Sequence, residues 1–328
     1  MSESTYPADT FGPPPVPIPI PASAPVLSVG PVVLRAPGRA VDLEVRVSAP
    51  VTGNDLPVVL LSHGQGPSNH LSSLRGCAPL ADFWAAHGFV VIQPTHLSST
   101  TLRLDPDTPG APLYWRSRAE DMTYILDRLD TIEAAAPQLP GRLDRGRVAV
   151  AGYSMGGHTA SLLLGARLTD PQDGTEVDLT EPRIKAGVLL AAPGRGGDAL
   201  STFATENLSF LSTTDFSTMR TPTLVVAGDK DTSPHLTVVG PDWHTDPYFL
   251  SPGPKSMLTL FDAEHGLGGI AGYDVAETTD ESPERVAAVQ RLTWAYLRTE
   301  LYPGDPAWQT AHNALAADHH PLGRVESK

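Results

Sequence analysis

The chain alternates between short, uninterrupted apolar runs and longer stretches with helical apolar spacing. Uninterrupted runs predict strands that are buried on both faces, as in a parallel sheet covered by helices. Such runs occupy residues 57–62, 89–93, 147–151, 184–191, 222–227 and 256–261. Residues 41–47 instead alternate apolar and charged side chains, which predicts a half-exposed antiparallel strand near the N-terminus.

Helical spacing separates these runs. Helices are predicted around Leu80 and Trp84, at residues 120–132, at the small-residue-rich segment 155–166, and at the closing segment 283–301. Strand and helix alternation predicts the α/β class: a mostly parallel central sheet, an antiparallel N-terminal strand, helices on both faces and small lid or loop insertions. In such sheets, functional side chains lie just beyond the carboxyl ends of the strands.

Composition limits the partners that this fold would have. Apolar residues make up 41% of the 328 residues and charged residues 18%, which is typical of a globular protein. The formal net charge of −14 repels phosphates and anionic lipid headgroups, so neither nucleic acid nor a membrane surface is expected as partner. No apolar run is long enough to cross a bilayer. The oligomeric state is not predicted.

Cysteine usage and the first residues suggest a compartment. Cys77 is the single cysteine, which excludes an internal disulfide. The first ten residues lack the basic and apolar regions of a secretory signal. We therefore expect a cytoplasmic location.

The first candidate for catalytic chemistry is the segment Gly152-Tyr153-Ser154-Met155-Gly156. It follows the apolar run at 147–151 and precedes a predicted helix. A sharp strand-to-helix turn needs small residues on either side of the serine, and it exposes the serine hydroxyl at the helix N-terminus. There the free amides and the helix dipole favour developing negative charge. Ser154 is the predicted nucleophile; the alternative is a capping serine in an ordinary turn.

A serine nucleophile needs a base and an acid. His265 follows the last predicted strand and is the predicted base, whereas His158, one turn beyond the serine, is expected to have a packing or capping role. Asp231 follows the run at 222–227 and is the predicted acid, with Asp229 and Asp262 as weaker alternatives.

Two backbone amides are predicted to hold the oxyanion. The first belongs to Met155, the residue after the nucleophile, and the second to Gln65 in the glycine-containing segment Ser62-His63-Gly64-Gln65-Gly66. His63 is expected to orient this segment. A plain glycine turn is the alternative.

With these motifs in hand, the chain resembles the α/β-hydrolase superfamily. Its SHGQG and GYSMGG segments are similar to those of dienelactone-hydrolase-like proteins, platelet-activating-factor acetylhydrolases, chlorophyllase-like proteins and polyester hydrolases. The resemblance implies a serine carboxylic-ester hydrolase that forms an acyl-enzyme and uses no metal or other cofactor. Two features depart from it: dienelactone hydrolases proper have cysteine at the position of Ser154, and secreted polyester hydrolases have a signal peptide and usually a disulfide.

The resemblance predicts three regions: a proline-rich N-terminal extension at 1–26, an α/β-hydrolase domain at 27–302 and a C-terminal tail at 303–328. The expected substrate is a small or medium apolar ester. Its pocket is predicted from His96 together with Trp243, Tyr248 and Phe249, which lie in an insertion after Asp231. Residues 200–216 and 232–255 are the candidate lids. The acidic residues Asp170, Asp173, Glu176 and Asp178 fit no calcium motif.

Three alternatives stay open. The same residues would serve a lactone or thioester hydrolase or an acyltransferase. A non-catalytic ligand-binding protein of this fold, or an adaptor using the proline-rich residues 11–25, belongs to another functional class.

Overall fold

A computed structural model describes residues 18–272 and 275–328. The strands are β1 (Val26–Leu34), β2 (Leu43–Pro50), β3 (Leu56–Ser62), β4 (Val90–Pro94), β5 (Leu143–Tyr153), β6 (Arg167–Thr169), β7 (Glu176–Asp178), β8 (Ile184–Leu190), β9 (Thr223–Gly228), β10 (Lys255–Leu260) and β11 (Gly323–Ser327). The helices are α1 (Ala78–Ala86), α2 (Trp115–Asp127), α3 (Leu129–Ala135), α4 (Met155–Leu163), α5 (Thr202–Asn207), α6 (Asp246–Phe249), α7 (Pro283–Leu301) and α8 (Ala307–Ala316).

Nine strands form the main sheet in the order β1-β2-β4-β3-β5-β8-β9-β10-β11. The neighbours from β4 to β10 pair in parallel, whereas β1 with β2, β2 with β4, and β10 with β11 pair antiparallel. Every residue of β3, β4, β9 and β10 is buried, because helices cover both faces of these strands. The predicted α/β class with an antiparallel N-terminal strand is confirmed.

Two apolar cores lie on the two faces of the sheet. One contains residues of α1, α7 and α8, including Trp84, Leu292 and Leu315. The other contains residues of α2, α3 and α4, including Met122 and Ile132. The predicted helix at 120–132 is in fact two helices, because Arg128 between them leaves helical geometry with φ −119°.

The region from 303 to 328 differs from the predicted tail. It forms α8, whose Trp308 ring meets Tyr296 of α7 edge-on at a centroid distance of 5.3 Å, and β11, which extends the main sheet beside β10. The sequence of β11 alternates and has no apolar run, so periodicity did not reveal it. Of the predicted N-terminal extension, residues 1–17 lie outside the described part; Ile18 is buried in the core of α1 and α7.

The acidic segment around residue 170 forms the separate hairpin of β6 and β7. Arg167 pairs there with Glu176 and Asp178, both at 2.9 Å. Among the helices of the described residues, none is long and apolar enough to cross a membrane.

Candidate active site

Ser154 occupies the turn between β5 and α4 in a strained backbone conformation, with φ 53° and ψ −119°. The turn is this tight because glycines flank the serine. A Cβ atom at Gly152 would overlap the carbonyl oxygen of Gly156, and a Cβ atom at Gly156 would overlap the carbonyl oxygen of Ser62. The serine is thereby held at the N-terminus of α4, at the carboxyl edge of the sheet.

Ser154, His265 and Asp231 are brought together at this edge, and we call these three residues the outer triad. His265 Nε2 lies 2.9 Å from Ser154 Oγ, and His265 Nδ1 lies 2.7 Å from Asp231 Oδ2. A carboxylate can only accept, so Nδ1 donates and Nε2 is left to accept the serine proton. The His265 side chain is 30% exposed, whereas Asp231 is 1% exposed. Ser154 itself is 7% exposed, and the arrangement can remove the proton from its hydroxyl.

The loops that carry the acid and the base hold each other in place. Gly228 has no room for a Cβ atom because the carbonyl of Ala263 lies against it, and Lys230 N donates to the same carbonyl oxygen at 2.9 Å. The carboxylate of Asp280 accepts from the backbone N–H groups of Glu264, at 2.9 Å, and Gly268, at 3.0 Å. These bonds flank His265 on both sides and hold the loop that carries it.

Asp231 is surrounded by donors. Burial by itself would raise the pKa of this carboxyl, but hydrogen bonds from His244 and His265 hold the pKa well below its ordinary value. Ser233 Oγ adds a third bond, at 2.6 Å to Oδ1. These hydrogen bonds therefore favour the ionised form of Asp231.

The two residues predicted to hold the oxyanion lie in segments that adjoin β5 and α4. Met155 is the first residue of α4, so its N–H has no acceptor within the helix. The segment that carries Gln65 follows β3, and Gly64 lies so close to Tyr153 that a Cβ atom would be 2.9 Å from the ring. Ser68 N donates to Glu277 at 2.8 Å and ties this segment to the region that follows His265. The assignment of the two amides stays a prediction.

A second serine–histidine–aspartate set lies directly beneath this segment. His96 Nε2 is 2.9 Å from Ser62 Oγ, and His96 Nδ1 is 2.9 Å from Asp121 Oδ2. We call Ser62, His96 and Asp121 the inner triad. Arg39 Nε donates to Asp121 at 2.8 Å. Arg118 donates to the carbonyl oxygen of His63, and this bond supports the segment from below.

Burial governs the charges of the inner triad. It lowers the pKa of His96 far below the ordinary value, and the positive charges of Arg118 and Arg39 lower it further. Burial also raises the pKa of Asp121 to about 6, although Arg39 opposes the shift. His96 is therefore a neutral structural group.

Two further histidines occupy the positions expected of supporting residues. His63 Nδ1 donates to the carbonyl of Gly64 at 2.7 Å, while its Nε2 accepts from the N–H of His96 at 3.2 Å. His158 is buried with its ring edge against Phe210, and neither ring nitrogen has a partner among the described residues. Burial lowers the pKa of His158 to about 3, so this ring is a neutral packing group.

The four predicted pocket residues do not form one group, although the rings of Tyr248 and Phe249 meet edge-on at 5.0 Å. His96 has no exposed surface, and its two ring nitrogens bond to Ser62 and Asp121. It therefore does not line a pocket. Trp243 is also fully buried, with Nε1 donating to the carbonyl of Arg195 at 2.8 Å. Tyr248 packs in the core on the α2 face, and Phe249 is 58% exposed. Trp243 nevertheless belongs, with Leu236 of the same segment, to the apolar cluster that contains Met155.

The other candidate lid also reaches the residue that follows Ser154. Residues 200–216 contain α5 and a short 3-10 turn, and their apolar side chains form one cluster with Met155. The members from this segment are Leu200, Ala204, Leu208, Phe210 and Leu211. An apolar wall therefore adjoins the residue after Ser154.

His244 was not anticipated from the sequence, yet it touches the outer triad. Its Nε2 lies 3.1 Å from Asp231 Oδ2. Asp231, His244 and His265 present nitrogen and oxygen atoms within 4.8 Å of one another, a spacing that a metal ion could bridge. Those atoms already bond to one another, so an ion would have to displace the hydrogen bonds on Asp231.

A mostly parallel sheet with a strained serine after β5 and histidine and aspartate beyond later strands is an α/β-hydrolase fold. Comparison with known proteins agrees with this class. The chain is 30% identical over 182 residues to Cutinase 2 of Thermobifida cellulosilytica. The matched region covers 55% of this chain and 51% of the relative. Cutinase cut1 of Thermobifida fusca is equally similar over 42% of its length. The chain thus spans about half the length, or less, of the curated relatives it matches. No protein-family model matches the chain.

Proposed function

We propose that this protein is a serine hydrolase of carboxylic esters that works through the outer triad and an acyl-enzyme. The observation that carries the proposal is the single imidazole of His265, which joins a strained serine at 2.9 Å to a buried carboxylate at 2.7 Å. The similarity to cutinases supports ester bonds as the target.

In the acylation step, Ser154 Oγ attacks the ester carbonyl carbon while its proton passes to His265 Nε2. The backbone N–H groups of Met155 and Gln65 stabilise the oxyanion of the tetrahedral intermediate. The bond from carbon to the alcohol oxygen then breaks. His265 returns the proton to the leaving alcohol, and the acyl group stays on Ser154.

In the deacylation step, His265 Nε2 takes a proton from water as the water oxygen attacks the acyl carbon. Collapse of the second tetrahedral intermediate returns that proton to Ser154 and releases the carboxylic acid. Asp231 keeps Nδ1 protonated throughout and stabilises the imidazolium formed in each step.

The substrate class that we propose is a small or medium apolar ester. Support comes from the apolar wall of residues 200–216 beside Met155, which suits an apolar acyl or alcohol group. The cytoplasmic location stays a prediction.

The experiment is a p-nitrophenyl ester series of graded acyl length, run beside labelling with a fluorophosphonate and mapping of the labelled peptide. We expect turnover with a maximum at short or medium chains and label on Ser154. Label on Ser62, or no label together with no turnover, would contradict the proposal. Lactone and thioester panels, and an assay with added alcohol as acyl acceptor, separate the related reactions.

A further inference from the structure

Tyr153 is the last residue of β5 and directly precedes the nucleophile Ser154. Successive side chains of a strand point to opposite faces of the sheet. Ala149, Ala151 and Tyr153 accordingly all lie in the core that contains residues of α1 and α7. The tyrosine is 2% exposed. A buried aromatic ring therefore lies one peptide bond away from the strained turn that holds Ser154.

The ring of Tyr153 contacts the segment that carries the predicted oxyanion donor Gln65. A Cβ atom added at Gly64 would lie 2.9 Å from ring atom Cδ1 and 3.2 Å from ring atom Cε1. The tyrosine ring thus fills the space in which a side chain at position 64 would begin. This contact is made one residue before Gln65, so the ring limits how closely the segment can approach β5.

The hydroxyl of Tyr153 reaches the loop of the base. Its Oη donates to the backbone carbonyl oxygen of His265 at 3.1 Å, and the two ring centroids are 5.4 Å apart. The bond holds the backbone of His265 itself, whereas Asp280 holds the loop through Glu264 and Gly268. Burial raises the pKa of the Tyr153 phenol well above its ordinary value, so the hydroxyl keeps the proton that it donates.

We infer that Tyr153 is a positioning residue that sets the separation between the base His265 and the oxyanion segment. The role in catalysis rests on the proposed function. A tetrahedral intermediate on Ser154 must meet the oxyanion donors and the base at the same time, so their separation has to be fixed before substrate binds. Tyr153 spans both with a rigid ring, whose edge lies on Gly64 and whose hydroxyl binds His265.

The hydroxyl is tested with Tyr153→Phe, which keeps the ring. The rate constant of fluorophosphonate labelling at Ser154 should fall about fivefold, the scale of one lost hydrogen bond, while the final labelled fraction stays that of the wild type. On a p-nitrophenyl ester, kcat should fall by a similar factor. KM should stay within about twofold, because a residue that is 2% exposed offers substrate almost no surface. A lower labelled fraction with an unchanged rate constant would overturn the role of the hydroxyl.

The ring is tested with Tyr153→Leu, which leaves space beside Gly64 and His265. The labelling rate constant should fall about 100-fold, the factor that a displacement of about 1 Å at a reacting group can cost. Tyr153→Phe should therefore restore most of the rate that Tyr153→Leu loses. Equal rate constants in Tyr153→Leu and the wild type would overturn the role of the ring.

Tyr296 of α7 provides the matched controls. It is also 2% exposed and lies in the same core, where its ring meets Trp308 edge-on. Tyr296→Phe and Tyr296→Leu make the same chemical changes in a ring that packs on α8. They should lower the free energy of unfolding and leave the labelling rate constant unchanged. An equal fall of the rate constant in these controls would overturn the inference, because general loss of core packing would then explain the result.

A proton NMR measurement does not depend on turnover. The Nδ1 proton of His265 lies in the 2.7 Å hydrogen bond to Asp231. Its resonance should shift in Tyr153→Phe and stay in place in Tyr296→Phe. An unshifted resonance in Tyr153→Phe would overturn the inference. Absence of label on Ser154 in the wild type would overturn the proposed function instead, while the NMR comparison would still decide whether Tyr153 positions His265.

Discussion

The inner and outer triads have nearly the same hydrogen bonds but very different surroundings. In both, histidine Nε2 lies 2.9 Å from a serine oxygen. Histidine Nδ1 lies 2.7 Å from aspartate in the outer triad and 2.9 Å in the inner triad. Distances between the three residues therefore do not distinguish a reactive serine from a structural one. The difference lies in the backbone, in access and in the charges nearby.

The two serines differ in backbone and access. Ser154 has a strained backbone and lies at the start of α4, where free N–H groups are available to an oxyanion. Ser62 is the last residue of β3 and has no exposed surface. Ser154 keeps 7% of its surface exposed, whereas Ser62 keeps none.

The two histidines differ in their nearest charges. His265 is partly exposed and faces an aspartate whose pKa is held low by hydrogen bonds that outweigh its burial. His96 is fully buried, and burial together with Arg118 and Arg39 lowers its pKa far below the ordinary value. A general base must gain a proton during the reaction, and the surroundings of His96 disfavour the protonated form of its ring. The inner triad is thus a structural support for the segment that carries Gln65.

The largest predicted effect separates the two serines. Ser154→Ala should lower kcat by about 10⁴-fold or more, because the nucleophile is lost. Ser62→Ala should keep kcat within about tenfold and lower the free energy of unfolding by about 2 kcal/mol, because His96 Nε2 loses its buried donor. Assays on one p-nitrophenyl ester and urea unfolding measure both quantities. A reversed ranking in kcat would make Ser62 the nucleophile.

The aspartates provide the next comparison. Asp231→Asn should lower kcat by about 10⁴-fold, because an amide no longer holds His265 in the tautomer that accepts the serine proton. Asp121→Asn should leave kcat within about tenfold but remove about 3 kcal/mol of stability, since it leaves Arg39 buried without its counter-ion. Comparable kcat losses in the two variants would show that the inner triad takes part in the chemistry.

The last predicted effect concerns stability in acid and not kcat. The folded-state pKa of His158 is about 3, below its value near 6.5 in the unfolded chain, so the unfolded state binds an extra proton between these two pH values. Stability contributed by the neutral ring is complete above pH 6.5 and falls by about 1.4 kcal/mol per pH unit below it. His158→Phe should remove this share of the slope.

Urea midpoints taken from pH 7 to pH 4 measure that slope. The exposed His319→Phe is the matched control and should leave the slope unchanged. An unaltered slope in His158→Phe would mean that His63 and His96, whose pKa values burial also lowers, account for the acid sensitivity without His158.

The sequence predicted the central sheet, and it pointed to the three residues that lie together in the outer triad, for a common physical reason. Fully buried parallel strands need uninterrupted apolar runs, and chemistry in this fold follows the ends of those runs. Ser154, Asp231 and His265 each stand within a few residues of such an end. The edge strand β11 was not predicted. It pairs with β10 on one side only, and its five residues contain no uninterrupted apolar run.

The inner triad and His244 could not be predicted in the same way. His96 follows a strand, but hydrophobic periodicity does not predict the direction of a side chain beyond the end of that strand. A signal existed in α2, where Arg118 shares the apolar helix face of Met122 and Ile125. A charged side chain on an apolar helix face indicates that it has hydrogen-bond or ion-pair partners inside the protein. His244 offered no signal, because it lies in a loop without periodicity thirteen positions beyond Asp231.

Gly156 links the two triads through space. A Cβ atom there would overlap the carbonyl oxygen of Ser62, so the first turn of α4 rests directly on the last peptide of β3. The position of Ser154 above the sheet is consequently set by β3, whose last residue belongs to the inner triad. Directed evolution of this esterase candidate would therefore be constrained at position 156. A residue larger than glycine there would displace Ser154 and the inner triad at the same time.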